Sequence, residues 1–362
     1  MKQFQTLKDQ FSKKRIVETT QEDKDIAGDE ILVKIDRFAF TANNITYAVT
    51  GYMLGYWQFF PPVGEEADDW GVIPVWGFAD VVKSNVADIP VGDRLFGYFS
   101  PSDFLKMKPS KVSPMRFTDG AAHRSKLPAG YNNYSRVNAE PGYHSSMDNL
   151  RMLLWPLHMT SFCLWDAMKV KDFYGAKQVI VVSASSKTSV GLGYALKGDE
   201  DAPASIGITS DRNVDFVKGL DLYDTTVTYD TISEIDASIP TVIVDMSGNI
   251  QVLKALYKHL GDNRKYCINV GLTHWEKGGK DENLAERSEF FFAPTHIQMR
   301  LKDWGPAGLQ QRTSKFLMEA GIATQKWLNF KTIDGLSGLE EVYNEVCEGK
   351  ISANQGLIVT MN

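Results

Sequence analysis

Between residues 178 and 270 short apolar runs alternate with stretches of helical spacing, and this alternation limits what the chain can fold into more than any other feature. Gln178–Val182 (QVIVV) has no polar side chain after its first residue, so it reads as a strand covered on both faces. Further apolar strands follow at Ala204–Thr209, near 226–229, at Thr241–Asp245 and at 266–270, with helical segments at 189–196, around 213–220 and at Ile250–Leu260. Strands of this kind, separated by helices, build right-handed βαβ units around a parallel sheet. The reading is a doubly wound α/β domain over roughly residues 150–300. Residues 150–168 lead into it as a largely apolar run, helix-compatible apart from Pro156.

The flanks are β-like. Residues 30–40 (EILVKIDRFAF) alternate apolar and polar side chains in the manner of a half-buried strand, and shorter runs at 72–82 and 94–98 are broken by Gly and Pro. Residues 101–142 are rich in Pro, Ser, Asn and Lys and read as loops around short elements. Near the other end, 290–292 reads as a last strand of the parallel sheet, 306–324 as helix, 326–333 as β, 339–347 as helix and 356–361 as a closing strand. A chain of 362 residues, 43% hydrophobic and 23% charged, has apolar surface for two cores.

Charge and cysteine usage exclude several classes. The net charge of −6 removes the broad basic footprint that binding a phosphate backbone requires, so nucleic acid is not expected as a partner. No run approaches the 18 or so apolar residues of a membrane span, and residues 1–15 lack the apolar core of a signal peptide; a cytoplasmic protein that engages no membrane is expected. Cys163, Cys267 and Cys347 are too dispersed for a disulfide framework or a local zinc knot.

In an open α/β sheet the turn after the first strand presents amides to a phosphate at the next helix N-terminus. Here that turn carries Ser183, Ser185, Ser186, Lys187, Thr188 and Ser189, and of the usual glycines only Gly191 is present. Its hydroxyls and its lysine could neutralise a pyrophosphate; an ordinary Ser-rich turn is the plainer alternative. The tip of the second strand, Thr209, Ser210, Asp211, Arg212 and Asn213, bears on which cofactor. Hydroxyls with an arginine suit a ribose 2′-phosphate and so favour NADP(H) over NAD(H), although Asp211 suits a free 2′-hydroxyl and Ser210 or Asp211 could simply cap a helix.

Several blocks together resemble the medium-chain dehydrogenase/reductase superfamily, in particular its zinc-independent quinone-oxidoreductase-like members and an uncharacterised family of unknown function related to them. They are the strand EILVKI with NNITYAVTG at 43–51, the turn PVGDRLFG at 90–97, WPLHMT at 155–160, and the closing LEEVYNEVCEGKISANQGLIVTM at 339–361. The resemblance implies a GroES-like β domain (1–150 plus 301–362) interrupted by a Rossmann nucleotide-binding domain (151–300), with the active site in the cleft between them. It further implies that Thr160 approaches the nicotinamide, that Tyr229 lies near the adenosine, and that Ser247, Gly248, Gly271 and Leu272 line the cofactor at the ends of the later strands. A homodimer through the sheet edge at 290–292 is also implied.

Zinc-dependent relatives carry a Cys and a His-Glu pair where this chain has Thr41, Trp76 and Gly77, so no zinc is expected. Tyr47 matches the active-site tyrosine of the zinc-independent reductases, and a phenol can donate a proton to a substrate oxygen. Asn43 and Asn44 could orient it, bind the carbonyl or merely cap a turn. His274, after the fifth strand, is a further candidate, though a loop histidine is more often solvated. Tyr52, Tyr56, Trp57, Phe59 and Phe60 read as core, or as part of an apolar substrate pocket. Arg300 reads as a salt-bridge partner. The expected function is an NADPH-dependent reduction of an activated C=C or C=O of a small, apolar molecule; the alternative is a non-catalytic NADP(H)-binding sensor or scaffold.

Overall fold

The computed structural model describes residues 1–19, 25–271 and 286–361. Two compact units are present: Leu154–Trp327, and Met1–Leu153 together with Leu328–Asn362. The division falls inside one helix, Asp148–Val170, which runs through Pro156 without a break.

In the β unit the strand Ile31–Phe40 is central. It pairs antiparallel with Val75–Ser84 on one side and with the C-terminal strand Gln355–Thr360 on the other, and the latter pairs parallel with Asn329–Asp334. Both ends of the chain therefore close one sheet. Ile31, Val33 and Ile35 are wholly buried, as the alternating pattern demands, and after a register shift between Ile35 and Arg37 so is Phe38. The hairpin Lys2–Leu7 and Gln10–Glu18 forms a second, three-stranded sheet with Trp70–Gly71.

The other unit holds six parallel strands in the order Thr225–Thr228, Ala204–Thr209, Gln178–Val182, Thr241–Asp245, Arg264–Asn269, Ser288–Phe290. The chain enters at the centre, runs outward on one side, then returns and fills the other. That reversal, between Gln178–Val182 and Thr241–Asp245, is the topological switch point where α/β sheets bind ligands. Val179, Ile180, Val181 and Val182 are entirely buried, each worth about 1.5–3 kcal/mol of hydrophobic stabilisation.

This unit continues past residue 300 to Trp327 because the helix Ala293–Thr324 packs within it. Phe316 meets Phe162 with ring centroids 5.8 Å apart, and the Trp327 indole N–H donates to the Tyr194 hydroxyl at 2.9 Å. Gly305, at φ +67°, breaks that helix before Pro306, which explains why the sequence shows helical spacing only from 306 onward. Among the described residues no helix is long and apolar enough to cross a membrane.

Candidate functional site

The turn after Gln178–Val182 begins with Ser183 at φ +62°, a left-handed conformation that a serine adopts here without glycine's freedom. Ser186 caps the helix Lys187–Lys197, its Oγ accepting from the Ser189 N–H at 3.1 Å. The helix N-terminus thus presents its first-turn amides beside Lys187 and Thr188, the setting that attracts an anion. Burial pulls the half-buried Lys187 ammonium down to about 8.

The turn is linked to the second strand through side chains. Thr209 Oγ1 and Asn213 Nδ2 both donate to Ser185 Oγ, at 3.3 and 3.1 Å, and Asn213 Nδ2 also reaches Ser210 Oγ at 3.3 Å. Ser210 occupies the N-cap of Asp211–Leu220 and makes no side-chain capping bond, and Arg212 is exposed on that helix's first turn. Tyr229 is half-buried and its phenol engages Ser183. The structure therefore gathers Ser183, Ser185, Thr209, Ser210, Asn213 and Tyr229 at adjacent strand tips, with Arg212 beside them. Thr160 lies on the entry helix, its Oγ1 3.2 Å from the Pro156 carbonyl.

At the end of the fourth strand stands Asp245, fully buried, which sequence reasoning missed. Its Oδ1 accepts from the Ser247 N–H (2.8 Å) and Oγ (2.7 Å), and its Oδ2 accepts from the Gly248 N–H (3.1 Å). Burial pushes the Asp245 carboxyl up, against those hydrogen bonds. Ser247 and Gly248 thus answer first to Asp245. Gly271 passes so close that a Cβ on it would lie 2.5 Å from the Met246 carbonyl oxygen. Leu272 and His274 lie outside the described residues.

In the β unit, Tyr47 sits on the short helix Ala42–Val49, in an aromatic cluster. Its ring lies 4.5 Å from Tyr56 and 5.6 Å, edge-on, from Tyr98, and the Trp76 indole N–H donates to its phenol oxygen at 3.3 Å. Burial, with Tyr131 nearby, pushes the Tyr47 phenol far above its ordinary value, while hydrogen bonds from Trp76 and Asn43 work against that shift. A phenol so held carries its proton throughout the neutral range. Asn44 is different: its Oδ1 accepts from the Thr41 backbone N–H at 2.8 Å and its Nδ2 donates to the Pro74 carbonyl at 2.9 Å. With Thr41 it forms a reciprocal capping box, which leaves Asn43 as the asparagine beside Tyr47.

Tyr47, 5% exposed, belongs with Tyr56, Trp57, Phe59 and Phe60 to the core of this unit, whereas Tyr52 is 67% exposed and outside it. Trp76, at the position of the histidine in zinc-dependent relatives, stacks on Phe96 at 5.7 Å. Among the described residues no three His, Cys, Asp or Glu side chains come together to hold a metal ion. Arg300 is a salt-bridge partner: with His296 it grips Asp166, both contacts at 2.6 Å.

Strand order and a β unit built from both chain ends together define the fold as a GroES-like β domain interrupted by a Rossmann domain. Within it, the chain belongs to the family described as "Protein of unknown function (DUF2855)", whose model matches residues 38–352. No curated protein matches it in sequence. Among solved structures it is similar to CurA in complex with NADPH from Vibrio vulnificus (14% identity, TM-score 0.62, covering 100% of this chain and 99% of that one). It is also similar to the CurF ER cyclopropanase from the curacin A biosynthetic pathway (14%, TM-score 0.60, 100% and 99%). A third likeness is to glucose dehydrogenase from Haloferax mediterranei (12%, TM-score 0.54, 99% and 99%).

Proposed function

We propose that this protein is an NADP(H)-dependent, zinc-independent oxidoreductase that reduces an activated C=C or C=O of a small, apolar molecule. The observation that carries the reading is the hydroxyl-rich turn at the switch point of the Rossmann sheet, with Ser210 and Arg212 at the tip of the adjoining strand. Its fold is that of CurA, which was solved with NADPH.

When bound, the nicotinamide supplies the hydride. The amides and hydroxyls of Ser185 and Thr188, with the Lys187 ammonium, would bind the pyrophosphate, while Ser186 shapes the turn, its N–H donating to the Ser183 carbonyl at 2.9 Å and its Oγ to Ser189 Oγ at 2.8 Å. Arg212 and Ser210 bind the 2′-phosphate, and a bare ribose offers Arg212 no charge to pair with. Tyr47 holds a proton at its phenol oxygen and donates it, as a hydrogen bond or outright, to the substrate oxygen on which negative charge develops. Asn43 and Trp76 fix the direction of that phenol. Asn44 keeps the helix start in shape. The edge strand Ser288–Phe290, with Phe290 39% exposed, supports pairing of two copies of the chain; light scattering that returns the mass of one chain would remove that part of the reading.

Two variants test the assignment. Tyr47→Phe is expected to lower kcat by roughly 10²–10⁴-fold while leaving NADPH affinity unchanged. Arg212→Ala is expected to weaken NADPH more than NADH. Equal weakening of both cofactors would remove Arg212 from the 2′-phosphate site, and unchanged turnover in Tyr47→Phe would remove the phenol from the chemistry.

A further inference from the structure

The turn that would hold the pyrophosphate lacks the glycines that usually let its backbone lie close to a phosphate, and its shape is held from the protein side. Tyr223 is 9% exposed and lies beneath the turn. Its hydroxyl donates to the Ser189 carbonyl at 2.9 Å and stands 3.4 Å from the Ala184 carbonyl, so one phenol touches both ends of the turn. Room for its ring comes from a glycine outside the turn. A Cβ on Gly207, in the second strand, would lie 2.7 Å from Tyr223 Cδ2 and 2.9 Å from its Cγ, closer than the ring could tolerate. A second side chain works from the entry helix: Ser161 Oγ is 2.7 Å from the Thr188 carbonyl.

In a trans peptide the C=O and the following N–H point in opposite directions. A carbonyl drawn inward therefore turns the next amide outward. Holding Ala184 C=O against the buried phenol aims the Ser185 N–H away from the interior, the direction a bound anion needs.

We propose that Tyr223 is the positioning residue of the pyrophosphate site, and that Gly207 does for Tyr223 what turn glycines do elsewhere for the ligand. The freedom that a glycine-rich turn gives to an approaching phosphate is here given to a supporting side chain instead. This rests on the NADP(H) reading above. The conventional glycine pattern is missing because close approach occurs on the other side of the backbone.

The experiment is titration of the full-length protein with NADPH, NADH and adenosine 2′-monophosphate, for wild type, Tyr223→Phe and Gly207→Ala. Tyr223→Phe keeps the ring and removes only the hydroxyl. It should weaken NADPH and NADH by the same factor, roughly two- to tenfold, the weight of one net hydrogen bond. Adenosine 2′-monophosphate has no 5′-phosphate to meet the turn and should bind both proteins alike. Gly207→Ala, which displaces the ring, should reproduce the pattern. Unchanged NADPH affinity in Tyr223→Phe overturns the proposal, as does an equal loss for adenosine 2′-monophosphate, which would mark general damage to the unit. Failure of the wild type to bind NADPH or NADH overturns the functional reading itself and this proposal with it.

Discussion

Lys187 opens the helix that follows the turn, and its charge is the part of the site most sensitive to pH. Burial pulls its ammonium to about 8, so the cation is present below that pH and lost above it. NADH, which has no 2′-phosphate to titrate, should therefore bind with steady affinity from pH 6 to 7 and several-fold more weakly by pH 9, as read by fluorescence titration; a flat profile would mean that Lys187 does not face the phosphates. His158, on the entry helix, moves the same way for the same reason: burial pulls its imidazole to about 4, and it is neutral at pH 7. At this scale the sequence displayed the polar residues of the turn but not their supports. Tyr223 belongs to an unremarkable LYDT stretch, and its only signal was Gly207, an isolated glycine inside an apolar strand, which often marks close approach. Asn43 and Asn44 are adjacent and chemically identical in the sequence; only the Thr41 and Pro74 contacts separate the cap from the residue beside Tyr47.

Among the elements, the parallel strands were the most legible, because strands buried on both faces are apolar throughout. The N-terminal hairpin was not. Its inward positions include Gln3, Gln5 and Thr6, all buried, so the alternation that marks a strand is absent. Those side chains are satisfied by one another and by backbone, as in the 2.7 Å bond from Gln5 Nε2 to Gln3 Oε1 and the 2.6 Å bond from Thr6 Oγ1 to the Phe11 carbonyl. The helix Ala293–Thr324 is joined to the entry helix by a buried charge cluster. Burial pushes the Asp166 carboxyl up, but hydrogen bonds from His296 and Arg300 outweigh it and hold it below the usual range. A depressed carboxyl adds stability above its unfolded pKa, about 3.9, and that stability is lost as pH falls below it. Asp166→Ala leaves His296 without that carboxylate and Arg300 with only the half-exposed Asp303, and should cost about 1–3 kcal/mol in denaturant unfolding at pH 7. A loss under 1 kcal/mol would show that the two helices are held by their aromatic contacts alone.

For the molecule as a whole, two cores follow from length, but the order in which the chain builds them does not. The return of β character near the C-terminus, which only the family resemblance accounted for, is the pairing of Gln355–Thr360 with Ile31–Phe40, a contact between residues more than 300 positions apart that no local pattern encodes. At 14% identity the chain still has the fold of CurA, so the architecture is not tied to one set of side chains. Hydride transfer from NADPH is the step on which the proposed function stands. Mixing the protein with NADPH carrying deuterium at both C4 positions and a panel of enones, quinones, aldehydes and ketones, and following the label by mass spectrometry, tests it. Hydride transfer puts deuterium on carbon in the product of at least one panel member, at a rate sharply reduced in Tyr47→Phe. Saturable binding of NADPH with no label transferred to any of them would contradict it and leave a cofactor-binding protein without chemistry.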